Sequence, residues 1–316
     1  MSEEVLSLGE RKIIQKYFSD VGSAYLAEQG IRVSVGDDAA IISNPHDKES
    51  VVSIDTSIEG IHFLSSMKAK DIAYRSVAIA LSDLAACGAT PAWYTLALSM
   101  ESNDEDWLKE FSEGLRIVSD EFRLPLVGGD TTKGALSISV QVTGYCDPGK
   151  AITRKGSLKG DLVFVSGFIG EAARELKSLR EGEENKNENL TYLRPKARID
   201  LGQRLIGIAS AAIDVSDGLI QDLGNICRAS NLGCEILLEN IPTKLSRPLT
   251  ANEINQGDDY EICFSADESN LEEISSISKE LGIKITAIGR MTEGNLVKVI
   301  NKEGLEVKIK SGFEHF

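Results

Sequence analysis

Apolar and polar positions along the chain fall into two alternating rhythms. Leu8, Ile13, Ile14, Tyr17 and Phe18 recur at helical spacing and predict a helical N-terminal segment within residues 1–30. Ile72, Val77, Leu81 and Leu84 mark a helix over 70–88. Trp107, Leu108, Phe111, Leu115 and Val118 mark another over about 104–121, with Asn103 or Asp104 as its N-cap. Before the first of these two helices the β-branched run from Val51 predicts a short strand ending at Asp55, and after the second Leu136, Ile138, Val140 and Val142 alternate as a strand up to Tyr145. Turn residues at Cys146–Lys150 set a boundary near 147–152. Beyond it the pattern predicts strands at 162–165, before Asp214, at 234–238, 260–264 and 283–288, and helices at 195–210, 218–230 and 269–281. Residues 177–190 hold too few apolar side chains to be buried and read as a solvated insertion. The chain is expected to be mixed α/β, without a repeat of solenoid length.

At 316 residues there is room for about two domains. Apolar residues make up 42% and charged residues 26%, as in ordinary globular chains. The formal charge of −15 repels phosphodiester backbones and anionic headgroups, so neither nucleic acid nor a membrane surface is an expected partner. No apolar run approaches the roughly 20 residues of a membrane span, and the acidic start Met1–Glu4 lacks the basic region of a signal peptide. A cytoplasmic location is expected. The five cysteines, Cys87, Cys146, Cys227, Cys234 and Cys263, are scattered among apolar neighbours and read as buried thiols. His46, His62 and His315 are too dispersed for a zinc site, so oxygen atoms must bind any metal.

Chemistry is suggested by where the aspartates fall. Asp37 and Asp38 follow Gly36, Asp55 ends a strand, Asp83 lies in the apolar run 77–86, Asp130 follows Gly128-Gly129, and Asp214 and Asp217 flank Val215-Ser216. A lone carboxylate is costly to desolvate in such settings unless it is paired, hydrogen-bonded or metal-bound. Clustered aspartates with hydroxyl neighbours are the hard-oxygen ligand set of Mg²⁺. Each alone also suits a turn or a helix cap, Asp217 being placed to cap the helix at 218–230. Gly144–Ala151 matches GxxxxGK but has Ala151 where a metal-binding hydroxyl belongs, and is rejected as a phosphate loop. Gly128–Gly134, after an apolar run, reads as a segment whose backbone N–H groups approach a polyphosphate while Asp130 holds its metal. No GxGxxG follows a strand, so a dinucleotide fold lacks support.

Six segments carry a resemblance: Gly36–Ala40, Asp55–Phe63, Leu81–Ala89, Gly128–Thr132, Asp214–Leu219 and Gly257–Glu261, followed by the tail Ser311–Phe316. In this order, over about nine tenths of the chain, they resemble the thiamine-monophosphate kinase family of the aminoimidazole ribonucleotide synthetase superfamily. The resemblance implies an α/β (α+β) protein of two domains. An N-terminal domain, 1–148, would carry Mg-ATP contacts and dimerise through its sheet, and a C-terminal α+β domain would span 149–316. It implies ATP-dependent phosphorylation of thiamine monophosphate to thiamine diphosphate, in thiamine biosynthesis, with several Mg²⁺ ions, ATP as co-substrate and a homodimer.

Carried over position by position, the metal ligands are Asp38, Ser53, Asp55, Asp83, Asp130, Asp214 and Asp217, with Ile54 contributing through its backbone. Ile54 stands where the family often has threonine, so a side-chain hydroxyl is lost there. Asp55, Asp130 and Asp217 are the expected catalytic carboxylates. ATP would meet Gly129, Asp130, Arg154 and Ser216, and the thiamine moiety His62, Asp258 and Phe313. A phosphate acceptor with a second pKa near 6 is already mostly dianionic at neutral pH and needs no strong base, which suits a histidine-poor chain. The competing readings are another ATP-using member of the superfamily and a non-catalytic cation-binding protein. The first lacks a catalytic Cys or Lys in a Gly-rich N-terminal loop and a Cys-terminated tail.

Overall fold

The computed structural model describes residues 9–182, 190–309 and Gly312. Two compact units result: the described part of Met1–Leu81 with Pro91–Pro148, and Ser82–Thr90 with the described part of Gly149–Phe316. The first opens with α1 (Glu10–Ile13), which runs on as one π-helical turn, Ile14–Phe18. The helical segment expected over 1–30 then breaks at Gly22, whose φ is +66° and whose Cβ position lies 2.6 Å from Pro125 Cα. Strands β1 (Ile31–Val33) and β2 (Ile41–Ile42) pair antiparallel.

Around β3 (Glu49–Ile58), α2 (Ala69–Ala86), β4 (Thr90–Met100), α3 (Glu105–Phe122), β5 (Leu126–Lys133) and β6 (Ser137–Cys146) a four-stranded sheet forms in the order β3-β6-β4-β5. β3 and β6 pair antiparallel from Glu49↔Cys146 to Ile58↔Ser137, while β5 lies parallel to β4. Alternate residues Ile138, Val140 and Val142 of β6 are wholly buried. So are Leu108, Phe111, Leu115 and Val118, the apolar face of α3. Each such side chain contributes about 1.5–3 kcal/mol by leaving water. Asp104 is the N-cap of α3, accepting the N–H groups of Asp106 (2.9 Å) and Trp107 (3.1 Å). Helix α2 departs from the one-sided stripe expected, because every residue from Asp71 to Ser82 is buried.

The second unit contains β7 (Leu162–Ser166), α4 (Glu171–Arg180), α5 (Ile199–Arg204), β8 (Ala209–Asp214), α6 (Leu219–Ser230), β9 (Gly233–Leu237), β10 (Ile262–Ala266), α7 (Leu271–Leu281), β11 (Ile285–Thr292) and β12 (Val297–Ile300). Its six strands lie in the order β12-β9-β11-β7-β10-β8. Val163, Val165, Ile213, Ile236, Cys263 and Ile288 pack with Leu219, Leu223 and Ile226 of α6 into one core. The helix expected over 195–210 shrinks to α5, since Ala209 already enters the sheet beside Ala266. Strand β10 starts two residues later than expected, because Tyr260 adopts φ +49°. Of the solvated insertion expected at 177–190, residues 177–180 close α4 and 183–189 lie outside the described residues. All five cysteines are free thiols, four buried and Cys87 half-buried. Among the described residues no helix is long and apolar enough to cross a membrane.

Candidate active site

In the first unit, β3 sorts its residues by strand period. Val51, Ser53 and Asp55 are half-buried, whereas Val52 and Ile54 stand out on the other face, 61% and 65% exposed. Asp55 pairs across to Val140, so Ser53 and Asp55 share a face and Ile54 can offer them only its backbone. After the strand a turn brings His62 back: its Nδ1 accepts the Ile58 N–H at 3.0 Å and its own N–H donates to the Ile58 carbonyl at 2.9 Å. With Nδ1 accepting, the neutral ring carries its proton on Nε2. Asp38 is exposed beyond Gly36, its N–H donating to Asp37 Oδ1 at 2.8 Å. Asp83, in the stretch Ser82–Thr90 that belongs to the second unit, is half-buried on α2.

The segment Gly128–Thr132, expected to bring backbone N–H groups to a polyphosphate, is strand. It lies in β5, where Gly129 pairs with Leu96 and Asp130 with Ala97. A Cβ at Gly129 would lie 1.8 Å from the Leu96 carbonyl oxygen, so glycine is required by close approach of the two strands. The ladder to β4 takes the N–H groups on one edge of β5 only, since β5 is an outer strand of the sheet, and the segment exposes Gly129, Asp130 and Thr132. β3 and β5 are opposite edges of the four-stranded sheet, so Asp55 and Asp130 stand three strand spacings apart.

In the second unit Asp214 ends β8 opposite Ile262 and is 4% exposed. Ser216, Asp217 and Gly218 then turn the chain into α6. Asp217 does not cap that helix. The N-cap is Gly218, and the free N–H groups are met from elsewhere: Asn255 Oδ1 accepts from Ile220 (3.0 Å) and Gln221 (3.2 Å), and Asp222 Oδ2 accepts from Ser216, Asp217 and Gly218. Burial first, and then the Asp217 charge, pushes the Asp222 carboxyl up to about 7 against those N–H bonds.

The segment 257–261 packs on this turn. Asp258, at φ +64°, donates its N–H to the Ser216 carbonyl at 2.8 Å, and Tyr260 Oη donates to Asp258 Oδ1 at 3.2 Å. Asp259 is buried against the start of α4, both carboxylate oxygens accepting the Gly170 N–H at 2.8 and 3.0 Å, and burial pushes it up to about 8. Glu261 holds Arg198 in a two-point ion pair (2.8 and 2.5 Å) and accepts from Ser166 Oγ at 2.6 Å. Gly312 reaches the same place, a Cβ there falling 2.5 Å from the Asp217 carbonyl oxygen. Phe313 lies outside the described residues. Arg154 is exposed, its carbonyl accepting from Ser230 Oγ at 3.4 Å. Asp222, Asn255 and Asp259 were not read from the sequence as site residues. Asp259 stands in the Gly257–Glu261 segment, but Asp222 and Asn255 lie in or beside apolar runs, and nothing in the spacing says what their side chains accept.

Residues 36–146 match the AIR synthase related protein, N-terminal domain, and residues 159–302 match its C-terminal domain. The thiamine-monophosphate kinase of Haemophilus influenzae is 37% identical over 98% of this chain and 99% of its own. The chain belongs to the thiamine-monophosphate kinase family. In this family, the crystal structure of thiamine-monophosphate kinase from Stenotrophomonas maltophilia K279a is similar at a TM-score of 0.83 and 36% identity, covering 91% of this chain and 96% of that one. AaThiL complexed with AMPPCP and TMP is similar at 0.74 and 26%, covering 93% and 95%.

Phosphoryl transfer from a nucleoside triphosphate ordinarily uses a hard divalent cation to neutralise phosphate charge. Among the described residues no three His, Cys, Asp or Glu side chains are gathered closely enough to cage one. Mg²⁺ does not require a cage. It keeps several waters and takes one or two carboxylates plus substrate phosphates, so the exposed or half-exposed oxygens of Asp38, Ser53, Asp55, Asp130 and Asp217 suit it in kind.

Proposed function

We propose that this chain transfers the γ-phosphoryl group of ATP to thiamine monophosphate, releasing thiamine diphosphate and ADP. The observation that carries this reading is the full-length similarity to thiamine-monophosphate kinases, supported by likeness to a structure holding the ATP analogue AMPPCP together with TMP. Asp38, Ser53, Asp55, Asp83, Asp130, Asp214 and Asp217 hold Mg²⁺, with the Ile54 backbone beside them. Mg²⁺, when bound, neutralises phosphate charge and aligns donor and acceptor oxygens in line. Asp55, Asp130 and Asp217 are the carboxylates closest to that chemistry. Gly129, Arg154 and Ser216 meet the nucleotide with Asp130, and His62, Asp258 and Phe313 meet the thiamine moiety.

Two domains, 1–148 and 149–316, divide these contacts, and the chain works as a homodimer in the cytoplasm. Support for pairing comes from β3, an edge strand whose outer face exposes Val52 and Ile54, since an apolar edge is a template for another chain. Sedimentation at micromolar concentration checks it, and a monomer of 34.2 kDa alone overturns it. The reaction is tested by chromatography of products. With ATP and Mg²⁺, thiamine monophosphate gives the diphosphate and free thiamine gives none, because its hydroxyl would stand a phosphate's length short of the γ-phosphorus. Diphosphate formed from free thiamine as readily, or from neither compound, rejects the assignment.

A further inference from the structure

Asp222 lies in the first turn of α6, yet it is 1% exposed and its carboxylate points back into the turn before the helix. A single oxygen, Oδ2, accepts the N–H groups of Ser216 at 3.0 Å, Asp217 at 3.0 Å and Gly218 at 3.1 Å. Three successive N–H groups converging ahead of a helix make the concave donor site that ordinarily takes a phosphate oxygen. Here a carboxyl oxygen of the same chain fills it.

The rest of the turn's backbone is also committed. The Val215 carbonyl accepts from Tyr260 N–H and the Ser216 carbonyl from Asp258 N–H, both at 2.8 Å, while Leu219 N–H reaches the Ile254 carbonyl at 3.3 Å. Gly218 and Gly257 close the arrangement, since a Cβ at either would collide with Asn255 or with the Ser216 carbonyl oxygen, at 2.5 and 2.4 Å. What the turn still presents is the side chains of Ser216 and Asp217, with Asp217 Oδ2 accepting from Gln221 Nε2 at 3.5 Å.

We infer that Asp222 is a positioning residue for the phosphoryl transfer. By filling the donor site it converts Ser216–Gly218 from an anion-binding turn into one that offers oxygen side chains to a magnesium nucleotide. This rests on the reading that Asp217 holds Mg²⁺. Asp222 itself touches neither substrate nor metal, and its effect is to fix where the Asp217 carboxylate stands.

The test is the Mg²⁺ dependence of turnover at saturating ATP and thiamine monophosphate, for Asp222→Asn, Asp222→Glu, Asp222→Ala and Asp217→Asn, with each variant's melting temperature recorded. Asn keeps an acceptor oxygen in the same place and retains wild-type Mg²⁺ demand. Glu displaces that oxygen by a methylene and Ala removes it, and both raise the half-saturating Mg²⁺ concentration about 10–100-fold, the scale seen when partners of metal ligands are lost. Neither changes the KM for thiamine monophosphate. If the Ala variant does not fold, the contrast between Asn and Glu decides. Wild-type Mg²⁺ demand in a folded Glu variant, or an Asn variant as impaired as Glu, overturns the positioning role. Asp217→Asn separates the two readings: wild-type Mg²⁺ demand there rejects the metal assignment and this inference with it, whereas a raised demand there alone rejects only Asp222.

Discussion

The tripeptide Gly-Asp-Asp occurs at 36–38 and at 257–259, and the two copies are built for opposite purposes. Both glycines take a left-handed φ, +113° and +75°. Around Gly36 a Cβ would meet nothing within 4 Å, and both Asp37 and Asp38 are exposed. Around Gly257 a Cβ would fall 2.4 Å from the Ser216 carbonyl oxygen, and Asp259 is 4% exposed on the Gly170 N–H. The tripeptide by itself specifies only a turn that a glycine can make. Its neighbours decide whether both carboxylates stay exposed, as at Asp37 and Asp38, or one is buried as an internal acceptor, as at Asp259.

The largest effect that could break this contrast is on turnover. Asp38→Asn removes a charge from the open copy and keeps its shape, so kcat/KM falls about 10²–10³-fold, the scale of losing one electrostatic stabiliser of a transition state. Its denaturation midpoint stays at the wild-type value. Asp259→Ala does the reverse in stability, orphaning the buried Gly170 N–H at a cost of about 1–3 kcal/mol. Denaturant titration of both variants checks this. A destabilised Asp38→Asn with an unshifted Asp259→Ala would invert the assignment of the two copies.

The contrast also marks what the sequence could express. The helix of Trp107 to Val118 and the strand of Ile138 to Val142 were legible because one face is buried and the other wet, so spacing reports structure. Strand β5 was not, because Gly128-Gly129-Asp130 imitates a loop and becomes a strand only through the ladder with Leu96 and Ala97 of β4. Helix α2 was found by its apolar content, but its burial on all sides depends on what the tertiary fold packs around it. In the site, Ser53 and Asp55 on one face and Ile54 on the other follow from period two alone. The role of Asp222 does not, since it rests on three N–H groups that converge only once the turn is folded.

A smaller effect sharpens the same comparison by making one substitution in both copies. Gly36→Ala and Gly257→Ala each force a residue with a Cβ into left-handed backbone, which costs about 1–2 kcal/mol in either place. Only at Gly257 does that Cβ also meet a carbonyl oxygen already engaged by the Asp258 N–H at 2.8 Å. Relieving the contact means moving Ser216 or the 257–260 segment, which adds about 1–3 kcal/mol, as overpacking a filled site does. The strain common to both cancels in the difference, so Gly257→Ala is less stable than Gly36→Ala by about the second term alone. Equal denaturation midpoints for the two variants would mean that the 257–259 turn yields as readily as the open one. The division between an open copy and a built-in copy would then not hold.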